Sequence, residues 1–522
     1  MEKKKKKHGF RFYIAALTFC IETILFVALI VLLAVVPFSN QYLWIPLIAF
    51  LFINALNAIF MINISGNTSF KVSWLAVTII FPFAGLIIYW MYAEKLTSKR
   101  LRKIRFANIN SESGKGLITN HETLNELENK YPEAFTISNY ILKNAYGAPY
   151  SNTQVEYFKL GDYVEQPMIE ALKKAKKFIF MEYFIIEYGE FFDQIYAVLK
   201  EKAQEGVDVR LIYDDFGSVF KVKANFYKKA NKDGIKCFCF NRCRPIIDIR
   251  QNNRDHRKII VIDGIVAFTG GMNLADEYVN KVERFGLWKD NCVKVTGEGV
   301  NGFTNLFLSN WKMLSRDETI DHLNFSYETN KYLLTEEIKS DGYVQSFGDV
   351  PFDNEETTKN VLLMLINRVK KSIYISTPYL VPDDDIIQAL INASKSGIDV
   401  RIVTPGIPDK KTCYSLTRSF YSKLLFYGVK IYEFTPGFNH TKLYVFDDDY
   451  ALTGTPNLDY RSLYLHFENS IFLIKNSKVF EMKNDLLEMF GASKLISLEQ
   501  YKDVNIFKKF YWGLLRIFAP LF

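Results

Sequence analysis

Two stretches of the chain write the same reactive set at the same spacing. "HRKIIVIDGIVAFTGGMN" covers 256–273 and "HTKLYVFDDDYALTGTPN" covers 440–457. Each contains His, then Lys two residues on, then Asp, then Gly, then Asn: His256, Lys258, Asp263, Gly270 and Asn273 in the first, and His440, Lys442, Asp447, Gly454 and Asn457 in the second. Five identities at fixed spacing recur by chance roughly once in 10⁶ positions, so two copies in one chain are a signal. Two imidazoles suit in-line displacement at a phosphodiester. One attacks phosphorus and the other protonates the leaving oxygen, then serves as base for the incoming group. Lys258 and Lys442 can neutralise the non-bridging oxygens. Asn273 and Asn457, with backbone amides near Gly270, Gly271 and Gly454, can donate to them. Each imidazole also needs an acceptor for its other ring nitrogen, and Asp290 in "LWKDN" and Glu468 in "HFENS" fall at suitable places downstream. This chemistry requires no metal and no nucleotide cofactor.

The elements that hold these groups are legible as hairpins. Side chains two apart in an extended strand share a face, so His256 and Lys258 point together, as do His440 and Lys442. A tight turn at Asp263-Gly264-Ile265, or Asp447-Asp448-Asp449, brings the chain back. With Gly264 and Ile265 as its central pair, Asn273 lies opposite His256 and Asn457 opposite His440. Asp263 and Asp447 have the wrong parity for that face, and their expected work is to hold the turn. The hairpins sit in a longer repeat: "AKKFIFMEYFI" matches "VKKSIYISTPYLV", "EGVDVRLIYDD" matches "SGIDVRIVTPG", and "GIKCFCF" matches "GVKIYEF". Helical patterns such as "FFDQIYAVLKEKAQ" separate the strands. An α/β fold of two pseudo-symmetric lobes, each a sheet flanked by helices, is expected over 151–330 and 331–500.

The doubled motif resembles the phospholipase D superfamily. "YDDFGS", "HRKIIVIDG", "FTGGMN", "STPYLVPDDDII", "GTPNLDYRS" and "HFEN" look closer still to bacterial cardiolipin synthases, from about Leu43 to the C-terminus. That resemblance implies transfer of a phosphatidyl group between two phosphatidylglycerols through a phosphatidyl-histidine, with His256 favoured as nucleophile. It implies that Asp263 and Asp447 count among the active-site residues. Thr455 stands where the family usually has Ser and keeps the hydroxyl, so it joins the phosphate-binding groups. Lys410 replaces a His that the family often carries.

Composition frames this reading. The 522 residues carry a net charge of +8 and a pI near 8.8, which suits an anionic partner. Phosphatidylglycerol and anionic membrane lipid are the expected partners, and nucleic acid is not, because no basic-aromatic platform for stacking bases is visible. Six cysteines without C-x-x-C spacing read as reduced thiols. Three apolar runs, Tyr13 to Val36, Leu43 to Ile64 and Trp74 to Tyr92, predict a membrane anchor of two or three helices over 1–105, with a linker over 106–150. Glu22 inside the first run is a candidate functional carboxyl. "KKKKK" at 3–7 and the basic cluster at 95–105 both favour the cytoplasmic side, so a multi-pass protein of the bacterial cell membrane with a cytoplasmic catalytic domain is expected. "FKKFYWGLLRIF" within 501–522 reads as an interfacial helix. A phospholipase D-type hydrolase or a phosphatidylserine synthase would share these motifs, and so would a membrane-tethered nuclease.

Overall fold

The structure is a computed structural model that describes residues 41–63, most of 66–89, and 121–521 with breaks at 244–251, 318, 336, 352, 354 and 503. Contacts divide it into two units, one of 1–96, 244–249 and 514–522 and the other of 97–243 and 250–513.

The larger unit is built on two sheets. Among the described residues the first runs Thr153–Phe158, Cys292–Gly297, Val266–Gly270, Lys258–Ile262, Phe178–Tyr183, Asp208–Asp214, Lys236–Phe240. The second runs Tyr343–Asp349, Glu468–Ile474, Tyr450–Gly454, Leu443–Phe446, Ser372–Ser376, Asp399–Pro405, Lys430–Phe434, with Pro149–Tyr150 and Ser493–Leu495 at its edges. Strand for strand the order is the same, and in each the strand after the His-x-Lys pair lies near the middle. Parallel and antiparallel pairings also correspond, as at Glu182 beside Ile259 and Ser376 beside Leu443. The sheets share one core. The helix Val300–Ser315 repeats apolar side chains at Phe303, Phe307 and Trp311, and Phe307 stacks on Phe180 at 4.7 Å. Its apolar cluster includes Val261 and Val293 of the first sheet with Val344, Leu443 and Ile471 of the second, and Leu486 and Met489 of the helix Lys478–Gly491.

Three expectations change. The linker over 106–150 is ordered from 121: the helices His121–Lys130 and Pro132–Ala145 bury Leu127, Ala134, Ile137 and Ile141, and Pro149–Tyr150 pairs with the second sheet. Helical spacing of those apolar residues outweighs the polar composition. The turn holds three residues rather than two, since Ile262 pairs with Val266 and Phe446 with Tyr450. That moves the partner of each His by one place. Third, among the described residues no helix is long and apolar enough to cross a membrane. The helix in the third apolar run, Thr68–Ile80, has 13 residues and stops at Phe81, about 20 Å against the roughly 30 Å of a bilayer core. The first run, Glu22 and both basic clusters lie outside the described residues. The second run is the helix Gln41–Asn63, which exposes Phe52, Leu56 and Ile59.

Asp263 and Asp447 have left-handed backbone at the turns, with φ of 53° and 54°. Their carboxylates face the start of the neighbouring strand. Asp263 accepts from the amides of Lys176, Lys177 and Phe178 at 2.7–2.8 Å, and Asp447 from Lys370, Lys371 and Ser372 at 2.7–2.9 Å. They stand seven residues of largely extended chain from the histidines, roughly 20 Å. The parity argument and the geometry agree: each aspartate clamps a strand end. Asp263→Ala should cost about 3–5 kcal/mol, because three amides lose a charged acceptor. Urea denaturation should show the loss, while activity per folded molecule is retained.

Candidate active site

The two histidines lie just ahead of the central strands, and each is fixed by the other lobe. The backbone N–H of His256 donates to Phe467 O at 2.9 Å, and that of His440 to Lys289 O at 2.7 Å. Short parallel pairings accompany these bonds, Asp255 with Phe467 and Gly437–Asn439 with Leu287–Lys289. The next residue after each of these partners is the acid. His256 Nδ1 lies 2.9 Å from both carboxylate oxygens of Glu468, and His440 Nδ1 lies 2.6 Å from Asp290 Oδ2. Both expected acceptors are thus used, each across the lobe boundary.

The rest of each motif crosses over in the same way. A Cβ on Gly271 would sit 2.1 Å from Asp290 Oδ1, so only glycine lets the first motif pass the carboxylate that holds His440. Asn273 accepts from the amide of Ile185 at 3.0 Å and donates to Tyr278 Oη at 2.8 Å, and the Tyr278 ring stands 5.4 Å from that of His440. From the second motif, Thr455 Oγ1 donates to Glu468 Oε2 at 2.5 Å. A Cβ on Gly270 or Gly454 would meet Asn291 O or Asn469 O at 2.3 Å. The amides of Gly271 and Thr455 already donate to those same carbonyls, at 3.1 and 2.9 Å. The Gly271 and Thr455 amides are thus bonded within the fold, and Asn273 uses its Oδ1 and one N–H there. The glycines serve close packing. Asn457 donates to Asp459 at 3.1 Å, and its buried Oδ1 has no hydrogen-bond partner among the described residues.

The lysines stand beside the rings. Lys258 Nζ donates to His256 O at 2.7 Å. Lys442 Nζ donates to His440 O at 2.6 Å and lies 3.0 Å from His440 Nε2. Burial, and then the nearby Lys442 ammonium, bring Lys258 down to about 7, and burial brings Lys442 down to about 8. Burial lowers His256 to about 3, and burial with both lysines holds His440 well below the usual imidazole range. Both rings are therefore neutral at pH 7. With Nδ1 directed at a carboxylate, His256 presents its Nε2 lone pair, while Nε2 of His440 faces Lys442 Nζ. Burial opposes ionisation of Glu468, yet contacts with His256 and His466 keep it below the ordinary carboxylate range.

The pseudo-symmetry fails in the layer below and at the walls. Beneath His256 lie Glu182, Asp255 and Arg257, with Asn310 donating to both acids at 2.8 and 3.1 Å. The equivalent positions under His440 are neutral: Ser376, Asn439 and Thr441, bonded among themselves. Two residues before each acid stand Trp288, whose ring is 5.6 Å from His440, and His466, 5.5 Å from His256. Sequence reasoning missed this pair. Its signal was present, since "WKD" and "HFE" occupy the same place in the repeat. Lys410, where the family often has a histidine, lies 5.6 Å from the Tyr379 ring and close enough to depress His440. Among the described residues one group could hold a metal, His256, His466 and Glu468, with ligand atoms within 4.8 Å of one another.

Comparison with known proteins bears on this geometry. The family described as "Cardiolipin synthase, PLD-like domain" matches residues 168–301 and 362–490. A cardiolipin synthase of Alkalihalophilus pseudofirmus is 34% identical over 86% of this chain and 88% of its own length. An uncharacterized protein of Streptococcus mutans is 37% identical over 89% of this chain and 99% of its own. The crystal structure of a phosphatidylserine synthase from Haemophilus influenzae aligns with a TM-score of 0.55 at 17% identity, over 74% of this chain and 98% of the other, a likeness of fold.

The close approach at Gly271 makes a prediction independent of turnover. Gly271→Ala should displace Asp290 from His440 and cost roughly 2–4 kcal/mol in urea denaturation. Gly491→Ala, which meets nothing within 4 Å, should be close to neutral.

Proposed function

The chain belongs to the cardiolipin synthase family and is a phosphatidyltransferase of the phospholipase D type, and from that premise we propose that it joins two phosphatidylglycerols into cardiolipin and glycerol. The observation that carries this reading is the pair of neutral imidazoles, each with Nδ1 on a carboxylate from the opposite lobe and each with a lysine beside it. One Nε2 attacks phosphorus of the first lipid. The P–O bond to glycerol breaks, and the departing oxygen takes a proton relayed through Nε2 of the second imidazole from the lysine ammonium beside it, as Lys442 stands beside His440. The second lipid's terminal hydroxyl then loses its proton to that imidazole and attacks phosphorus. The P–N bond breaks and the first ring is neutral again. Lys258 and Lys442 offset charge on the non-bridging oxygens throughout. His256 is the favoured nucleophile by family analogy. It also has the better-supported cation, because Glu468 offers Nδ1–H both oxygens.

A lipid surface is the proposed location. The C-terminal helix Ile506–Phe518 buries Trp512 against Tyr501 at 5.9 Å and exposes Phe507 and Phe510 beside Lys508 and Lys509. Exposed Phe52, Leu56 and Ile59 on Gln41–Asn63 also need apolar cover. A bacterial membrane enzyme with a cytoplasmic catalytic domain fits these surfaces.

Purified protein incubated with phosphatidylglycerol vesicles should release cardiolipin and glycerol in equal amounts. Phosphatidic acid alone would instead identify a hydrolase. His256→Ala and His440→Ala should each lower transfer about 10⁴-fold or more. The ammonium form of Lys442 is the one that offsets phosphate charge, and it loses its proton near pH 8 rather than 10.5. kcat/KM should accordingly fall as pH rises from about 7 to 9, and a profile flat to pH 10 would contradict this.

A further inference from the structure

His466 is a buried residue with an unmet requirement. It is 9% exposed, and neither ring nitrogen has a hydrogen-bond partner among the described residues. Its Nδ1 faces Glu468 Oε1 at 3.5 Å, an ion-pair distance at the long limit for a hydrogen bond. At the matching place in the other lobe Trp288 provides a ring wall to His440 without offering a ligand atom. A wall needs only a ring; the imidazole nitrogens are an addition that no hydrogen bond among the described residues satisfies.

The surroundings indicate what would satisfy them. His256 Nδ1, Glu468 Oε1 and His466 Nδ1 lie on one small face, with spacings of 2.9 Å from His256 to Glu468 and 3.5 Å from Glu468 to His466. All three ligand atoms fall within 4.8 Å of one another. A tetrahedral ion with bonds near 2.0 Å needs ligand atoms about 3.3 Å apart, and two imidazoles with one carboxylate is a recurrent zinc set. Both rings and the carboxylate can bind in the protonation states that such an ion requires.

We propose that His256, His466 and Glu468 form an inhibitory site for zinc or a similar transition-metal ion. The ion takes the Nδ1 lone pair of His256 in place of the hydrogen bond to Glu468. The ring keeps one proton, which moves to Nε2, so the lone pair that would meet phosphorus is lost. No proton leaves the ring, and no redox change occurs. His440 has no such site beside it, because Trp288 supplies no ligand. Inhibition therefore acts on one imidazole of the two.

The test uses the purified full chain with zinc or cobalt(II) as probe. Equilibrium dialysis should find one strongly bound zinc per chain, lost in His466→Phe. Cobalt(II) should give the intense visible absorption of a tetrahedral site, absent in the same variant. Micromolar zinc should suppress phosphatidyl transfer, EDTA should restore it, and His466→Phe should need at least about tenfold more zinc. Equal zinc sensitivity in His466→Phe, or an unchanged cobalt spectrum, would overturn the proposal, as would failure of the natural chain to bind zinc. The binding readouts do not depend on turnover, so they stand apart from the fate of the transferase reading.

Discussion

Each reactive imidazole is held by a carboxylate from the opposite lobe, and most of the centre follows from that exchange. Neither lobe alone contains a usable histidine. The backbone bonds His256 to Phe467 and His440 to Lys289 put the acid one residue further on in contact with Nδ1. Side-chain bonds repeat the pattern a layer away: Asn291 donates to Thr453 at 2.8 Å and Asn469 to Thr269 at 2.7 Å. The shared core around Phe303, Phe307 and Leu486 keeps the lobes in register, and the exchange gives that register its chemical meaning.

Gathering two lysines, two acids and two imidazoles out of water is costly, and the protein manages it by lowering charge. Burial keeps both rings neutral and brings the lysines towards neutrality near physiological pH. An anionic phosphodiester reverses this balance on arrival, because it favours the ammonium forms. The resting site is thus poised for an anion of the kind that the lipid supplies.

The two halves are alike in backbone and unlike in charge. Identical strand order and identical aspartate clamps persist, while the layer under His256 is ionisable and the layer under His440 is neutral. His466 and Trp288 differ in the same sense. A symmetric scaffold with asymmetric surroundings lets two equal histidines take unequal parts.

The sequence by itself determined the repeat, the α/β class, the hairpins, the His and Lys pairs and the identity of both acids. All of these are local patterns or fixed spacings. Strand alternation was enough to send Asp263 and Asp447 away from the reactive face. Only the tertiary structure decided which acid serves which ring, because that depends on contacts between segments about 150 to 210 residues apart, Asp290 with His440 and His256 with Glu468. It also showed that Gly271 makes room for a carboxylate and that Asn273 has both amide ends bonded, since a backbone approach of a few ångströms leaves no mark in spacing. A one-residue difference in turn length was likewise beyond the motif, because its spacing along the chain does not fix the register of the return strand.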